Sequence, residues 1–325
     1  MKFLSCLVLC LCPLLLKGQF ISSAHPDLKA LDTIPLAIHI SSLTDTLMEG
    51  RASGTVGNVL AGVYISHCFK KYGLSYFTGD SWFQLFPVDS SVIGRNIVGM
   101  IRGNSRPQEY IVVSAHYDHL GRIQGAIYPG ADDNASGVAV LLQMAEMFGK
   151  RLREGRGPSR SIIFVAYDAK ERDLAGSAYF AGSLGISPKQ IMANLNIDQI
   201  GCVLEPPHRN ERYVLVLGAQ RKTDDLALVM DVANRYNRLE LDIDYSFYGS
   251  ENFSKLFFTI GDQVHLDKLG VPSILYTSGI HAYTYKTTDV PALIRYDVLL
   301  QRSKLLYLTI DDLISRVSWL RQKRH

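Results

Sequence analysis

Apolar residues recur along this chain in two rhythms, and the alternation between them predicts its architecture. Leu36 to Met48 keeps apolar positions at helical spacing, with Ser41, Ser42 and Thr44 on the wet side. Glu49 to Thr55 is a loop by composition. Val56 to Tyr72 returns to the helical period and stops at Gly73, a residue suited to a left-handed cap. Asn96 to Arg102 and Tyr110 to Ala115 are β-rich runs separated by the turn residues 103–107, which predicts a hairpin. Ser136 to Phe148 reads as an amphipathic helix, followed by a basic, glycine-containing loop from Arg151 to Arg160. Ser161 to Tyr167 is almost wholly apolar, the mark of a strand covered on both faces.

The same alternation continues to the C-terminus. Helices are expected at Ala175 to Ala181, Asp224 to Tyr236 and Leu293 to Leu320, and strands at Asn194 to Ile200, Arg212 to Leu217 and Pro272 to Tyr276. Strands interleaved with helices argue for an α/β fold, a three-layer α/β/α sandwich around a mostly parallel or mixed sheet. A chain of 325 residues with 47% apolar content fills one large domain or two small ones. No repeat, low-complexity tract or proline-rich linker divides it, so one domain is expected.

Charge excludes more than it suggests. With 34 basic against 31 acidic residues, nothing marks a nucleic-acid surface. Met1-Lys2, the apolar run Phe3 to Leu16 and then Lys17-Gly18-Gln19 read as a secretory signal peptide, too short for a membrane span. The competing reading is a buried core helix. Residues 1–18 are therefore expected to be a leader and 19–325 the mature domain, exported to the periplasm or secreted, with no membrane span. Cys6, Cys10 and Cys12 fall in the leader. Cys68 and Cys202 remain, either as a disulfide, which export permits, or as two buried thiols.

Four chemistry-bearing residues each follow their own apolar run: His116 after Val112-Val113, Asp133 before the Ser136 helix, Glu171 after Phe164-Val165, and Asp198 at the end of the Leu195 strand. In an α/β sheet the loops at the carboxyl ends of strands form the ligand crevice. One imidazole and three carboxylates gathered there suit zinc, which takes nitrogen and oxygen donors. Close-set carboxylates repel without a cation. Asp118, two residues after His116, points the same way on an extended chain and is placed to orient the ring. Singly, each signal is weak: a His-x-Asp is commonly a surface pair, and Asp132-Asp133-Asn134 before a helix is commonly a cap.

Taken in order, these residues and their surroundings resemble the exported co-catalytic zinc aminopeptidases of the bacterial leucyl aminopeptidase type. The resemblance covers nearly the whole mature sequence. It includes Leu47 to Arg51 with Gly54 and Gly57, Phe69 to Leu74, Ala115 to Gly121, Gly130 to Gly137, Leu174 to Ser177 and Gly270 to Ile274. It implies the zinc-exopeptidase (phosphorylase/hydrolase-like) architecture. It further implies that His116, Asp133 and Asp198 bind one zinc, that Asp133 bridges to a second held by Glu171, and that Asp118 orients the imidazole. In such a relative two zinc ions share a water, which a glutamate deprotonates for attack on the N-terminal peptide bond.

Two positions depart from that pattern. Lys170 stands where the family has its general-base glutamate, and Tyr285 where it has the last histidine ligand. The alternative is that the alignment slips and His281 or His265, both upstream, replaces that imidazole. Without it the second metal keeps only Glu171 and the shared Asp133, so one zinc is expected, a pair being the alternative. The ammonium of Lys170 then replaces a metal rather than a base. Asp262 matches a pocket-wall loop of the family, and Tyr283 and Tyr285 could reach a substrate. The expected function is a metallo-aminopeptidase acting on peptides, its activity impaired by the two substitutions. The alternative is a catalytically inactive relative that binds peptides. An acyl-transfer relative that cyclises N-terminal glutamine fits less well, because such enzymes keep an acid at the position of Lys170.

Overall fold

The computed structural model describes residues 24–204 and 210–320, so the leader expected at residues 1–18 lies outside the described residues. Its strands are β1 (Ser75–Tyr76), β2 (Phe83–Pro87), β3 (Ile93–Ile101), β4 (Arg106–His116), β5 (Gly121–Ile123), β6 (Ala126–Tyr128), β7 (Arg160–Tyr167), β8 (Ile191–Ile197), β9 (Tyr213–Leu217), β10 (Asp242–Asp244) and β11 (Ser273–Thr277). The helices are α1 (Thr33–Leu43), α2 (Val56–Tyr72), α3 (Gly137–Arg153), α4 (Ala175–Gly182), α5 (Asp225–Tyr236), α6 (Glu251–Thr259), α7 (Gln263–Lys268) and α8 (Tyr296–Ser315). Nine strands form one mixed sheet in the order β1-β3-β7-β4-β8-β11-β9-β10, with β2 also on β3; β5 and β6 make a separate hairpin.

The hairpin expected between the runs at Asn96 and Tyr110 is not formed. β7 lies between β3 and β4, antiparallel to the first and parallel to the second. Every residue of β7 is buried, so it belongs where both faces and both edges are covered, and it displaces the local pairing. β7, β4, β8 and β11 run parallel through the middle of the sheet. Their carboxyl ends therefore meet at one edge.

Both faces are covered. Ile111, Val113, Ile162 and Phe164 pack with residues of α1, α2, α3 and α8 on one side. Val112, Ile163 and Val165 pack with Phe180 and Leu266 on the other. Helix α2 ends at Tyr72 as its pattern predicts, with Gly73 left-handed at φ 83°. Helix α1 stops earlier than its pattern, at Leu43, where the N–H of Thr44 closes on the Ile40 carbonyl. Cys68 and Cys202 are free and buried, which decides against the disulfide. Among the described residues no helix is long and apolar enough to cross a membrane.

Candidate metal centre

Three adjacent parallel strands deliver the site. His116 is the last residue of β4, Lys170 and Glu171 lie in the turn after β7, and Asp198 follows β8 directly. Asp133 sits in the tight turn Ala131–Ser136 that opens into α3. The side chain of Asn134 fastens this turn to the sheet: its amide donates to the carbonyls of His116 and Ile197 and accepts from Gln199 N–H and Gly137 N–H. Asp289 holds the turn from the other side, accepting the N–H groups of Asp132 and Asp133 at 2.9 and 3.0 Å. Neither role is readable locally, because the partners lie far apart in sequence.

His116, Asp133 and Asp198 come together. His116 Nε2 lies 3.2 Å from Asp198 Oδ1 and 3.4 Å from Asp133 Oδ1. Zinc bonds of about 2.0–2.1 Å in a tetrahedron put ligand atoms about 3.3 Å apart. Both carboxylate oxygens of Asp133 are buried without a hydrogen-bond partner, a costly state unless a cation meets them. His116 Nδ1 lies 3.1 Å from the backbone carbonyl of Asp118, so a proton held there leaves the Nε2 lone pair facing the carboxylates. The residues present thus fit a zinc ion.

Asp118 reaches the ring differently from expectation. Its own carbonyl is the near partner, while its carboxylate stands 3.7 Å from Nδ1. The carboxylate accepts the N–H groups of Lys170 and Glu171, both at 3.0 Å, and so fixes the turn after β7 to the end of β4. Asp168 adds a second anchor. It takes bonds from Ser53, Asn58 and Arg95 N–H, and burial pushes its carboxyl up to about 6.

Lys170 occupies the neighbouring space. Its Nζ lies 3.0 Å from Glu171 Oε1, 3.8 Å from Asp133 Oδ1 and 3.3 Å from the Tyr285 hydroxyl. Burial opposes its charge, but Asp133, Asp198 and Glu171 together hold the ammonium well above the ordinary lysine value. Burial likewise raises Glu171, with Lys170 pulling against it. Tyr285 does arrive at the site, but as a partner of Lys170.

The two upstream histidines do not substitute for the missing imidazole. His281 Nε2 lies 3.0 Å from Asp132 Oδ2 and its Nδ1 accepts Tyr283 N–H, so it braces the turn instead. His265 pairs with Ser177. Asp262 is buried, which lifts its carboxyl to about 6. His119, which in the sequence follows the His-x-Asp motif and reads as a turn residue or one supporting the ligands, is buried with its Nδ1 3.8 Å from Asp133 Oδ2. A cavity of about 350 Å³ opens beside Lys170 and Asp198, walled by Phe247, Phe257, Ile260, Leu275 and Ile280.

The sequence pattern of Peptidase family M28 matches residues 96–307. Over 121 residues the chain is 34% identical to a protein of Leptosphaeria maculans named probable zinc metalloprotease, covering 36% of this chain and 26% of that one. It spans about a quarter of the length of the first curated relatives it matches. A zinc aminopeptidase from Bacillus subtilis superposes with a TM-score of 0.69 at 14% identity, over 89% of this chain and 96% of the other. A glutaminyl cyclase from Porphyromonas gingivalis does so at 0.67 and 17%, over 87% and 98%. At such identities these structures establish the common fold alone.

Proposed function

The chain belongs to peptidase family M28, and on that footing we propose that it is a zinc-dependent metallopeptidase removing N-terminal residues from peptides. The zinc is held by His116, Asp133 and Asp198. The observation that carries this reading is the spacing of those three donors around the unsatisfied Asp133 carboxylate. Zinc, when bound, polarises an amide carbonyl and acidifies the attacking water.

The chain's own residues then divide the remaining work. With an ammonium at the usual base position, the carboxylate left to take the water's proton is Glu171, whose oxygen lies within 4.8 Å of the Asp133 donor. Burial, by raising its pKa, makes it a better base. Lys170 Nζ, 3.0 Å away, keeps that carboxylate ionised and aimed. The apolar cavity takes the side chain of the residue being removed, favouring leucine or phenylalanine over charged residues. The leader-like N-terminus supports action outside the cytoplasm.

A second reading is favoured by one specific feature: Lys170, fully protonated, offers no lone pair where the family places its base. On that reading the chain binds peptides without cleaving them. Leucine and alanine anilides, with zinc added, separate the two. The proposal expects turnover by the parent chain, lost by at least a hundredfold in Glu171→Gln. Turnover only in a Lys170→Glu/Tyr285→His variant would establish the inactive reading.

A further inference from the structure

Beside the His116 cluster lies a second set of donors. One nitrogen of His119, one oxygen of Asp133 and one of Glu171 fall within 4.8 Å of one another. His119 is 1% exposed, and neither of its ring nitrogens has a hydrogen-bond partner. A buried imidazole in that state is the exception in folded proteins and points to something that should meet it. The two oxygens of Asp133 face two different imidazoles, Oδ1 toward His116 at 3.4 Å and Oδ2 toward His119 at 3.8 Å. This is the layout of a carboxylate shared between two cations.

Lys170 stands beside these donors. Its ammonium is 3.0 Å from Glu171 Oε1, a donor of the second set, and 3.8 Å from Asp133 Oδ1, the oxygen turned toward His116. Tyr285 closes the outer side, its hydroxyl 3.3 Å from Nζ and its ring stacked on His119 at 6.1 Å and 18°. An ammonium neutralises part of the carboxylate charge and could donate to an imidazole lone pair, yet nothing bonds to either ring nitrogen of His119. The oxygens of Asp133, the donor between the two imidazoles, are likewise buried without a hydrogen-bond partner.

We propose that Lys170 is a built-in cation that plugs a latent second metal site, whose donors His119, Asp133 and Glu171 remain assembled around it. The chain as it stands therefore loads one zinc, and removing the ammonium opens room for another. This rests on the reading of His116, Asp133 and Asp198 as a zinc site. It goes beyond that reading in giving His119 a ligand's part and Lys170 a gate's.

Zinc content of the full purified chain, measured by elemental analysis after equilibration with zinc and dialysis, tests it. The expected values are one zinc per chain in the parent, two in Lys170→Met, and one again in Lys170→Met/His119→Ala. Lys170→Gln, which keeps a hydrogen-bond donor for Glu171, serves as the second opening variant should Lys170→Met fail to fold. Two zinc ions in the parent, or one in both folded opening variants, overturns the plug. Two retained in Lys170→Met/His119→Ala overturns the part given to His119. If the parent holds one zinc that His116→Ala abolishes and neither opening variant gains another, this inference alone fails. Absence of zinc from every variant defeats the metallopeptidase reading and this inference with it.

Discussion

Arg51 carries more of the fold than its place in a loop would suggest. It is fully buried, and its guanidinium donates to the carbonyls of Leu43, Tyr117, Pro129 and Gly130. Those groups lie at the end of α1, just past β4 and just before the Asp133 turn, so one side chain ties together three segments around the metal centre. Burial lowers its pKa to about 10, with Asp289, Asp133 and Asp118 opposing, so it remains charged at neutral pH. Arg51→Met leaves four carbonyls without their donor. The expected cost is on the order of 3 kcal/mol in urea unfolding, and a loss under about 0.5 kcal/mol would refute the clamp. His39 makes a prediction about pH. It sits between the hydroxyls of Tyr64 and Tyr72, and burial, aided by Lys71, lowers its pKa from 6.5 to about 4. The folded chain holds it neutral while the unfolded chain takes up a proton. The stability it contributes is therefore complete above pH 6.5 and is lost as pH falls toward 4. Between those limits unfolding free energy should fall by up to about 1.4 kcal/mol per pH unit more in the parent than in His39→Gln. Equal slopes would show that His39 titrates normally.

At the level of elements, periodicity located most of the helices and strands and failed where pairing is decided at a distance. Helix α2 and strand β7 lie where their apolar patterns put them, the first a long run stopped by Gly73 and the second an almost wholly apolar run covered on both faces. The expected hairpin does not form because neighbours in sequence are not neighbours in the sheet: the fully buried β7 claims the place between β3 and β4. The apolar pattern does not mark α6 and α7, of nine and six residues. Packing between elements also shapes the site. A Cβ on Gly176 of α4 would stand 2.0 Å from the carbonyl oxygen of Asp168, the residue that opens the Lys170–Glu171 turn. Gly176→Ala must therefore shift that turn relative to α4. A tenfold or greater loss of turnover is expected, since a misplacement of about 1 Å can cost a hundredfold. Zinc affinity should hold within a few-fold, because His116, Asp133 and Asp198 stand on other elements. Unchanged turnover would mean that the turn has freedom the packing denies.

Across the whole molecule, the sequence was most informative where a residue's role follows from its position on its own strand. His116, Asp133 and Asp198 were legible because each ends a strand or opens a helix, and parallel strands bring such positions to one edge. The substitutions at Lys170 and Tyr285 were legible only as departures from a family pattern, and their mutual contact required the structure. Asp289, Asn134 and His119 were illegible in their roles, since Asp289 acts on a turn 157 residues away and His119 reads locally as part of a bend. The zinc reading also binds the fold to the ligand. A metal held by β4, β8 and the turn before α3 stabilises the folded chain by mass action, about 2.7 kcal/mol at a hundredfold excess over Kd. Chelation should lower the melting temperature by several degrees in the parent and leave His116→Ala unmoved; an equal response in both would separate the metal from this centre. The most direct test is crystallographic: anomalous diffraction recorded on either side of the zinc edge, from crystals grown with zinc. The account predicts one strong peak per chain, bonded to His116 Nε2, Asp133 and Asp198, with Lys170 Nζ in place beside it. Anomalous density only at the surface, or none within reach of those three donors, would contradict it.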